Sequence, residues 1–295
     1  MTSSPPTAAE ALAPYDALAA VYDRWTSDND YPGWADRLAL LFTADRPVAT
    51  VLDLCCGTGT ITRLLQDRGF EVTGVDGSSA MLDRARERVV AGTALHEVRL
   101  PAPLPLPAAS FDAAVCCFDS VNYLAPDQLA ALLREVATVL RPGGRFVFDL
   151  NTRHKLEHVF GNSHYGDDLD DFAYVWRNRY DPERHRCDFA ISLFTADGAG
   201  FRRQTERHGQ WWFGHDEIRA AARAAGFAVV SVTEDYSDRP VTPESLRETW
   251  LLVRSDAPDA TVVRHGPGPG TPSPVPYGPS RPASPVHTSH PEGTP

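Results

Sequence analysis

The ten residues Val51-Leu52-Asp53-Leu54-Cys55-Cys56-Gly57-Thr58-Gly59-Thr60 decide how this chain folds. Val51, Leu52 and Leu54 read as a buried strand ending near Asp53, two glycines follow within three residues, and a helix-like segment opens at Ile61. Strand, glycine turn and helix together open a parallel α/β sheet. Glycine permits positive φ and lets backbone lie against a ligand, and ligands of such sheets sit beyond the carboxyl ends of the strands. Two loop chemistries compete. A dinucleotide loop, G-x-G-x-x-G, wants its third glycine at position 62, where Thr62 stands. The alternative is an acidic residue followed by G-x-G-x-G, which this chain meets with Asp53, Gly57 and Gly59, Cys55 replacing the first glycine.

Outward from the loop, apolar runs at Glu71 to Val75, Ala113 to Phe118 and Arg145 to Leu150 read as further strands. Helical segments at Ile61 to Arg68, Ser79 to Val90 and Asp127 to Leu140 separate them. This alternation predicts parallel strands joined by crossover helices. One or two helices precede the sheet between Pro14 and Phe42. From Asn151 to Phe213 the rhythm changes to period-two alternation with Asp-Pro and Asp-Gly-Ala-Gly turns, which predicts an antiparallel insertion. The α/β rhythm resumes with a helix at Asp216 to Ala225 and strands at Phe227 to Val232 and Thr249 to Arg254. The expected domain spans 13–255, with a disordered N-terminus over 1–12 and a Pro/Gly-rich disordered tail over 256–295.

Composition narrows the function. A formal net charge of −11 disfavours a large nucleic-acid partner. No run reaches the ~18 apolar residues of a membrane span, and the first residues lack the pattern of a signal peptide, so a cytoplasmic enzyme is expected. Cys55–Cys56 and Cys116–Cys117 are adjacent pairs and Cys187 stands alone, without zinc or redox spacing, so no metal site is expected. Asp76 closes the second strand 23 positions after Asp53. A carboxylate there accepts hydrogen bonds from both ribose hydroxyls of a nucleoside. Met81 either lines the adenine or is core.

VLDLCCGTG, GVDGSSAML, LPLPAASFDAAVCCFDSVNYL and LRPGGRFVFDLN stand in the order seen in class I S-adenosylmethionine-dependent methyltransferases. YDALAAVYDRWTSDNDYPGW, KLEHVFGN, ERHGQWWFGHDEI and AAGFAVVSVTEDYSD resemble a bacterial small-molecule branch with a lid insertion. The resemblance covers about Ala13 to Arg254 and implies a Rossmann-like, seven-stranded, mostly parallel sheet binding S-adenosylmethionine, with S-adenosylhomocysteine as product. It implies that Asp53, Cys55, Cys56, Gly57 and Gly59 line the methionine end and that Asp76 holds the ribose. Gly77, Met81 and Leu100 would lie at the adenine, Phe118 and Asp119 would face methyl and acceptor, and Tyr22 and Trp34 would close over the cofactor. The family's adenine-binding Asp after the third strand is missing at Arg99-Leu100. Candidate bases are His208, Asp119, Tyr15 and His154. The expected function is methyl transfer to O or N of a small-molecule acceptor by a monomer or homodimer. The alternatives are a nucleic-acid methyltransferase and a non-catalytic cofactor-binding module.

Overall fold

The computed structural model describes residues 14–255; the two segments expected to be disordered lie outside the described residues. After a 3-10 turn at Leu18–Ala20 come α1 (Tyr22–Trp25) and α2 (Tyr31–Thr43). The α/β part runs β1 (Thr50–Leu54), α3 (Thr60–Asp67), β2 (Glu71–Asp76), α4 (Ser79–Arg88), β3 (Leu95–Glu97), β4 (Phe111–Cys116), α5 (Leu129–Val139) and β5 (Leu140–Asn151). A π-helical turn, Lys155–Phe160, leads to β6 (His164–Asp168), β7 (Phe172–Asp181), β8 (Arg186–Asp197) and β9 (Gly200–Trp211). The described residues close with α6 (His215–Ala224), β10 (Phe227–Glu234) and β11 (Arg247–Arg254).

Local chemistry sets the element ends. Asp30 caps α2 by accepting from the Gly33 amide at 3.0 Å, and Ser78 caps α4 through the Met81 amide at 3.3 Å. In α5 the buried residues Leu129, Leu132, Leu133, Val136 and Val139 follow helical spacing and form one core stripe.

The large sheet has the order β10-β11-β5-β4-β1-β2-β3, with β11 reversed between its neighbours. β1 pairs in parallel with both β2 and β4, so the chain leaves β1 in opposite directions and opens a cleft at the carboxyl ends of β1 and β4. Alternate residues face alternate cores. Leu52, Leu54, Ala114, Phe146 and Phe148 pack with α5 and α6, while Val51, Val115 and Val147 pack with Leu38 and Phe42 of α2 and Leu65 of α3. Both faces are covered, which explains the continuous apolar runs in these strands.

Strands β6 to β9 form a separate antiparallel sheet. Ala17, Leu18 and Val21 pack on its Phe172, Tyr174, Ile191 and Leu193. Asn122, after β4, donates to the Trp211 carbonyl at 2.8 Å, and Asn151 donates to Gln210 at 2.8 Å. These buried amides hold β9 over the cleft. All five cysteines are free thiols. No helix among the described residues is long and apolar enough to cross a membrane.

Candidate active site

A cavity of about 470 Å³ opens at the ends of β1, β2 and β4. The loop after β1 forms its floor, with φ of +56° at Cys55, +55° at Gly57 and +78° at Gly59. Cys55 thus adopts the left-handed conformation that glycine takes without cost, a strain of about 1–3 kcal/mol for other residues. Around Gly57 no atom lies within 4 Å of where a Cβ would stand, so this backbone faces open space. Gly59 serves something else. Its Cβ would come within 3.0 Å of Val89 and 3.2 Å of the Ala85 backbone, so it lets the loop pack against α4 and does not line the cavity.

Asp76 reaches back to this loop. Its carboxylate accepts from the Gly57 amide at 2.9 Å and the Ser78 amide at 2.8 Å, and burial raises its pKa. Asp53, fully buried, accepts from the Thr62 hydroxyl at 2.6 Å. Burial first, and the Asp76 charge second among the raising causes, push its carboxyl up to about 7. Gly77, Met81, Val98 and Leu100 make an apolar slot beside Asp76. Met81 is therefore both core and cavity wall. Arg99, where a carboxylate is absent, donates to the Gly77 carbonyl at 3.1 Å.

These groups fit S-adenosylmethionine. Asp76 offers its remaining lone pairs to ribose hydroxyls, the apolar slot takes an adenine, and Asp53 with Cys55 to Gly57 surrounds a cationic methionine end. They do not fit a pyrophosphate, because two buried carboxylates face it and the Gly57 amide is already engaged by Asp76.

Asp53 makes a pH prediction. Its pKa rises from 3.8 to about 7 on folding, so the folded state holds a proton that the unfolded chain releases. This contribution favours the ligand-free fold at low pH and is lost as pH climbs from about 4 to about 7. Calorimetric midpoints of the ligand-free chain should therefore fall, relative to Asp53→Asn, between about pH 4 and pH 7. Parallel pH profiles would refute the assignment.

A second cavity of about 590 Å³ lies beneath the antiparallel sheet. Tyr15, Tyr22, Phe118, Tyr123 and His208 line both cavities and form the partition between them. Phe118 and Asp119 turn the chain there with φ of +61° and +50°. Across the partition runs a hydrogen-bonded row. Tyr15 Oη donates to Tyr123 Oη at 2.7 Å, Tyr123 Oη lies 3.0 Å from His208 Nδ1, and His208 Nε2 lies 2.9 Å from Glu206 Oε2. Glu206 also accepts from the amides of Tyr15, Ala17 and Leu18 at 2.8, 2.6 and 3.0 Å. A carboxylate that accepts three amides takes the Nε2 proton of His208 as its fourth donor, which leaves Nδ1 as the acceptor facing Tyr123. Burial raises the pKa of both phenols, so they stay protonated and can only relay a proton.

The structure separates the candidate residues. Tyr15, Tyr22, Asp53, Cys55, Cys56, Gly57, Asp76, Gly77, Met81, Leu100, Phe118 and His208 meet at the cofactor cavity, and His154 and Asp119 line the second one. Asp119 is engaged on both oxygens, by Gln210 at 2.5 Å and Arg247 at 3.3 Å, so it holds the partition and is not a free base. Trp34 is at neither wall. It shares the core stripe of α2 with Leu38 and Phe42 and stacks on Tyr236 at 5.1 Å, while Tyr31, one turn earlier, reaches the cofactor cavity. Of the insertion's aromatics, Trp176 lines the second cavity and Trp211 the first, whereas Tyr180 and Phe213 are core. Glu206, Tyr123 and Gln210 are site residues that sequence reasoning missed. The available signal was period two, since Glu206, His208 and Gln210 share one face of β9. Among the described residues no cluster of His, Cys, Asp or Glu is arranged to hold a metal.

Comparison with known proteins places this geometry in a family. The family model described as "Methyltransferase domain" matches residues 51–144, from β1 into β5. The chain is 30% identical to "Putative methyltransferase YqeM" of Bacillus subtilis, over 82% of this chain and 97% of that protein. It is 31% identical to the cypemycin N-terminal methyltransferase of a Streptomyces species, over 70% of this chain and 83% of the other. A solved S-adenosylmethionine-dependent methyltransferase from Clostridium acetobutylicum superposes with a TM-score of 0.72 at 27% identity, covering 82% of this chain and 99% of that one. The cofactor loop, the Asp76 carboxylate and these likenesses agree: the chain belongs to the S-adenosylmethionine-dependent methyltransferases of class I.

Proposed function

We propose that this enzyme methylates an oxygen or nitrogen of a small-molecule acceptor held beneath the antiparallel sheet, with Tyr15, Tyr123 and His208 taking the acceptor's proton. One observation carries the reading: two cavities, one at the cofactor loop and one under the sheet, meet at a single partition. A roofed space of about 590 Å³ suits a small molecule. The likeness to the cypemycin N-terminal methyltransferase adds support for an amine among the acceptors.

Bound S-adenosylmethionine supplies an electrophilic methyl on a positively charged sulfur. The chain contributes alignment and a proton route. Tyr22 and Phe118 pack edge to face at 6.3 Å between the cavities and confine the approach of the acceptor, the kind of positioning worth up to ~7–11 kcal/mol in favourable cases. At Tyr15 Oη an acceptor proton enters the relay. Tyr15 passes its own proton to Tyr123, Tyr123 passes its own to His208 Nδ1, and Glu206 balances the imidazolium that results. The five free thiols fit work in the cytoplasm.

Tyr15→Phe keeps the ring and removes the end of the relay. General-base catalysis contributes roughly 10²–10⁴-fold, so kcat should fall about 100-fold or more while S-adenosylhomocysteine affinity stays within about threefold. S-adenosylhomocysteine release, followed against a metabolite panel and bulk tRNA, reads both the acceptor class and this loss. Turnover confined to tRNA, or an unchanged kcat in Tyr15→Phe, overturns the respective half of the proposal.

A further inference from the structure

Most charges on the wall of the acceptor cavity are already answered within the protein. Arg239 pairs with Glu234 at 2.8 Å, and Arg247 reaches Asp119 at 3.3 Å, Asp149 at 3.4 Å and Asp235 at 3.8 Å. Asp28 and Glu244 are exposed. Lys155 is the exception. No hydrogen bond or ion pair joins its half-buried ammonium to any described residue, and the group it lies against is the Phe160 ring at 5.2 Å. It is also the only lysine of the chain, which uses arginine at every other basic position. A lysine ammonium is a compact point charge that depends on a counter-ion once water is removed.

Two further observations point the same way. Lys155 begins the π-helical turn whose far end, Val159 and Phe160, also lines the cavity; single π-turns recur at functional sites. In addition, Arg247 Nη1 and Trp176 Nε1 are buried donors without an acceptor, and both residues line this cavity. Buried donors are nearly always paired. Two lining residues thus carry buried donors with no acceptor in the protein, while Asp119, Glu234 and Asp235 are each already bound to an arginine.

From this pattern we infer that Lys155 is the counter-charge for an anionic oxygen group, a carboxylate or a phosphoester, on an acceptor whose apolar body lies along Trp176, Phe189 and Ile191. The inference rests on reading this cavity as the acceptor site, and it names the acceptor's class: an anionic small molecule with a flat or apolar frame. The electrostatics agree. Burial first, and Arg247 second, lower the Lys155 pKa to about 8, against the raising influence of Asp119, Asp235 and Asp149. An anion at the ammonium would offset that burial and raise the pKa again.

The single lysine makes a direct test available. An amine-reactive reagent can modify only Lys155 and the chain's α-amine, which peptide mapping separates. The full chain, saturated with S-adenosylhomocysteine, is labelled alone or with millimolar indole-3-acetate, phenyl phosphate, indole-3-acetamide or tryptamine. Saturable protection of Lys155 by one or both anions is expected, and which of them protects tells carboxylate from phosphoester. The neutral amide and the cation should protect less. In calorimetry, Lys155→Met should weaken binding of the protecting anion about tenfold, the scale of one lost charge-assisted hydrogen bond. Lys155→Arg should retain it, and S-adenosylhomocysteine affinity should not change. Equal or better protection by tryptamine, no protection by either anion, or undiminished binding in Lys155→Met overturns the proposal. S-adenosylhomocysteine binding and turnover of an uncharged acceptor under those conditions would show that the methyltransferase reading stands without it.

Discussion

Replacement of Asp76 by alanine is expected to weaken S-adenosylhomocysteine binding by ~100-fold or more. The expectation follows from two charge-assisted hydrogen bonds to ribose at roughly 1.5–3 kcal/mol each. In the protein, Asp76 also holds the amides of Gly57 and Ser78 and so shapes the cofactor loop. Loss of affinity could therefore arise from a missing ligand contact or from a relaxed loop. The ligand-free thermal midpoint separates the two. A midpoint that stays put with a large affinity loss identifies direct recognition, whereas a large fall identifies loop support. Calorimetric affinity changed by less than about threefold removes Asp76 from the site. NAD should give no calorimetric signal with the unsubstituted chain, because the Gly57 amide that would meet its pyrophosphate is bound to Asp76.

Glu206→Ala should produce the other large effect. This residue is 2% exposed and joins three backbone amides of the N-terminal segment to His208. Removing one partner of a buried charged network costs about 3–5 kcal/mol. The chain can limit this cost by releasing residues 14–18 from the sheet, which sacrifices the packing of Ala17 and Leu18 on Phe172, Tyr174, Ile191 and Leu193. Hydrogen exchange should accordingly show lost protection at the Ala17 and Leu18 amides, with a midpoint drop of several degrees, at about 2–4 °C per kcal/mol for a domain of this size. Turnover should fall at least as far as in Tyr15→Phe, because both Tyr15 and the His208 proton acceptor lose their positions. Unchanged exchange at these amides would contradict the role given to Glu206.

The two residues differ in how far the sequence reveals them. Asp76 is legible because strand, acidic end residue and spacing to the cofactor loop are all local. Its bonds to Gly57 and Ser78 are not legible from spacing alone. Cys55 in the first glycine place is readable as a departure, and the structure shows its consequence, a left-handed backbone at a residue with a Cβ. Trp34 and Tyr31 are harder. Both are aromatics of one helix, and only the angle at which α2 docks decides that Trp34 faces Tyr236 and Tyr31 faces the cavity.

What the amino-acid sequence determined by itself was the order of strands and helices, the antiparallel insertion, the cofactor loop and the carboxylate at Asp76. Each depends on residues close in the chain, through burial period, turn chemistry and the reach of one strand-turn-helix unit. The antiparallel sheet's placement, the hydrogen-bonded row from Tyr15 to Glu206 and the isolation of Lys155 were decided by tertiary structure alone. Tyr15 and Glu206 stand 191 positions apart and meet only because Leu18 and Val21 bury themselves on that sheet. Unlike the arginines around it, Lys155 forms no ion pair among the described residues, and a missing contact has no signature in a linear sequence.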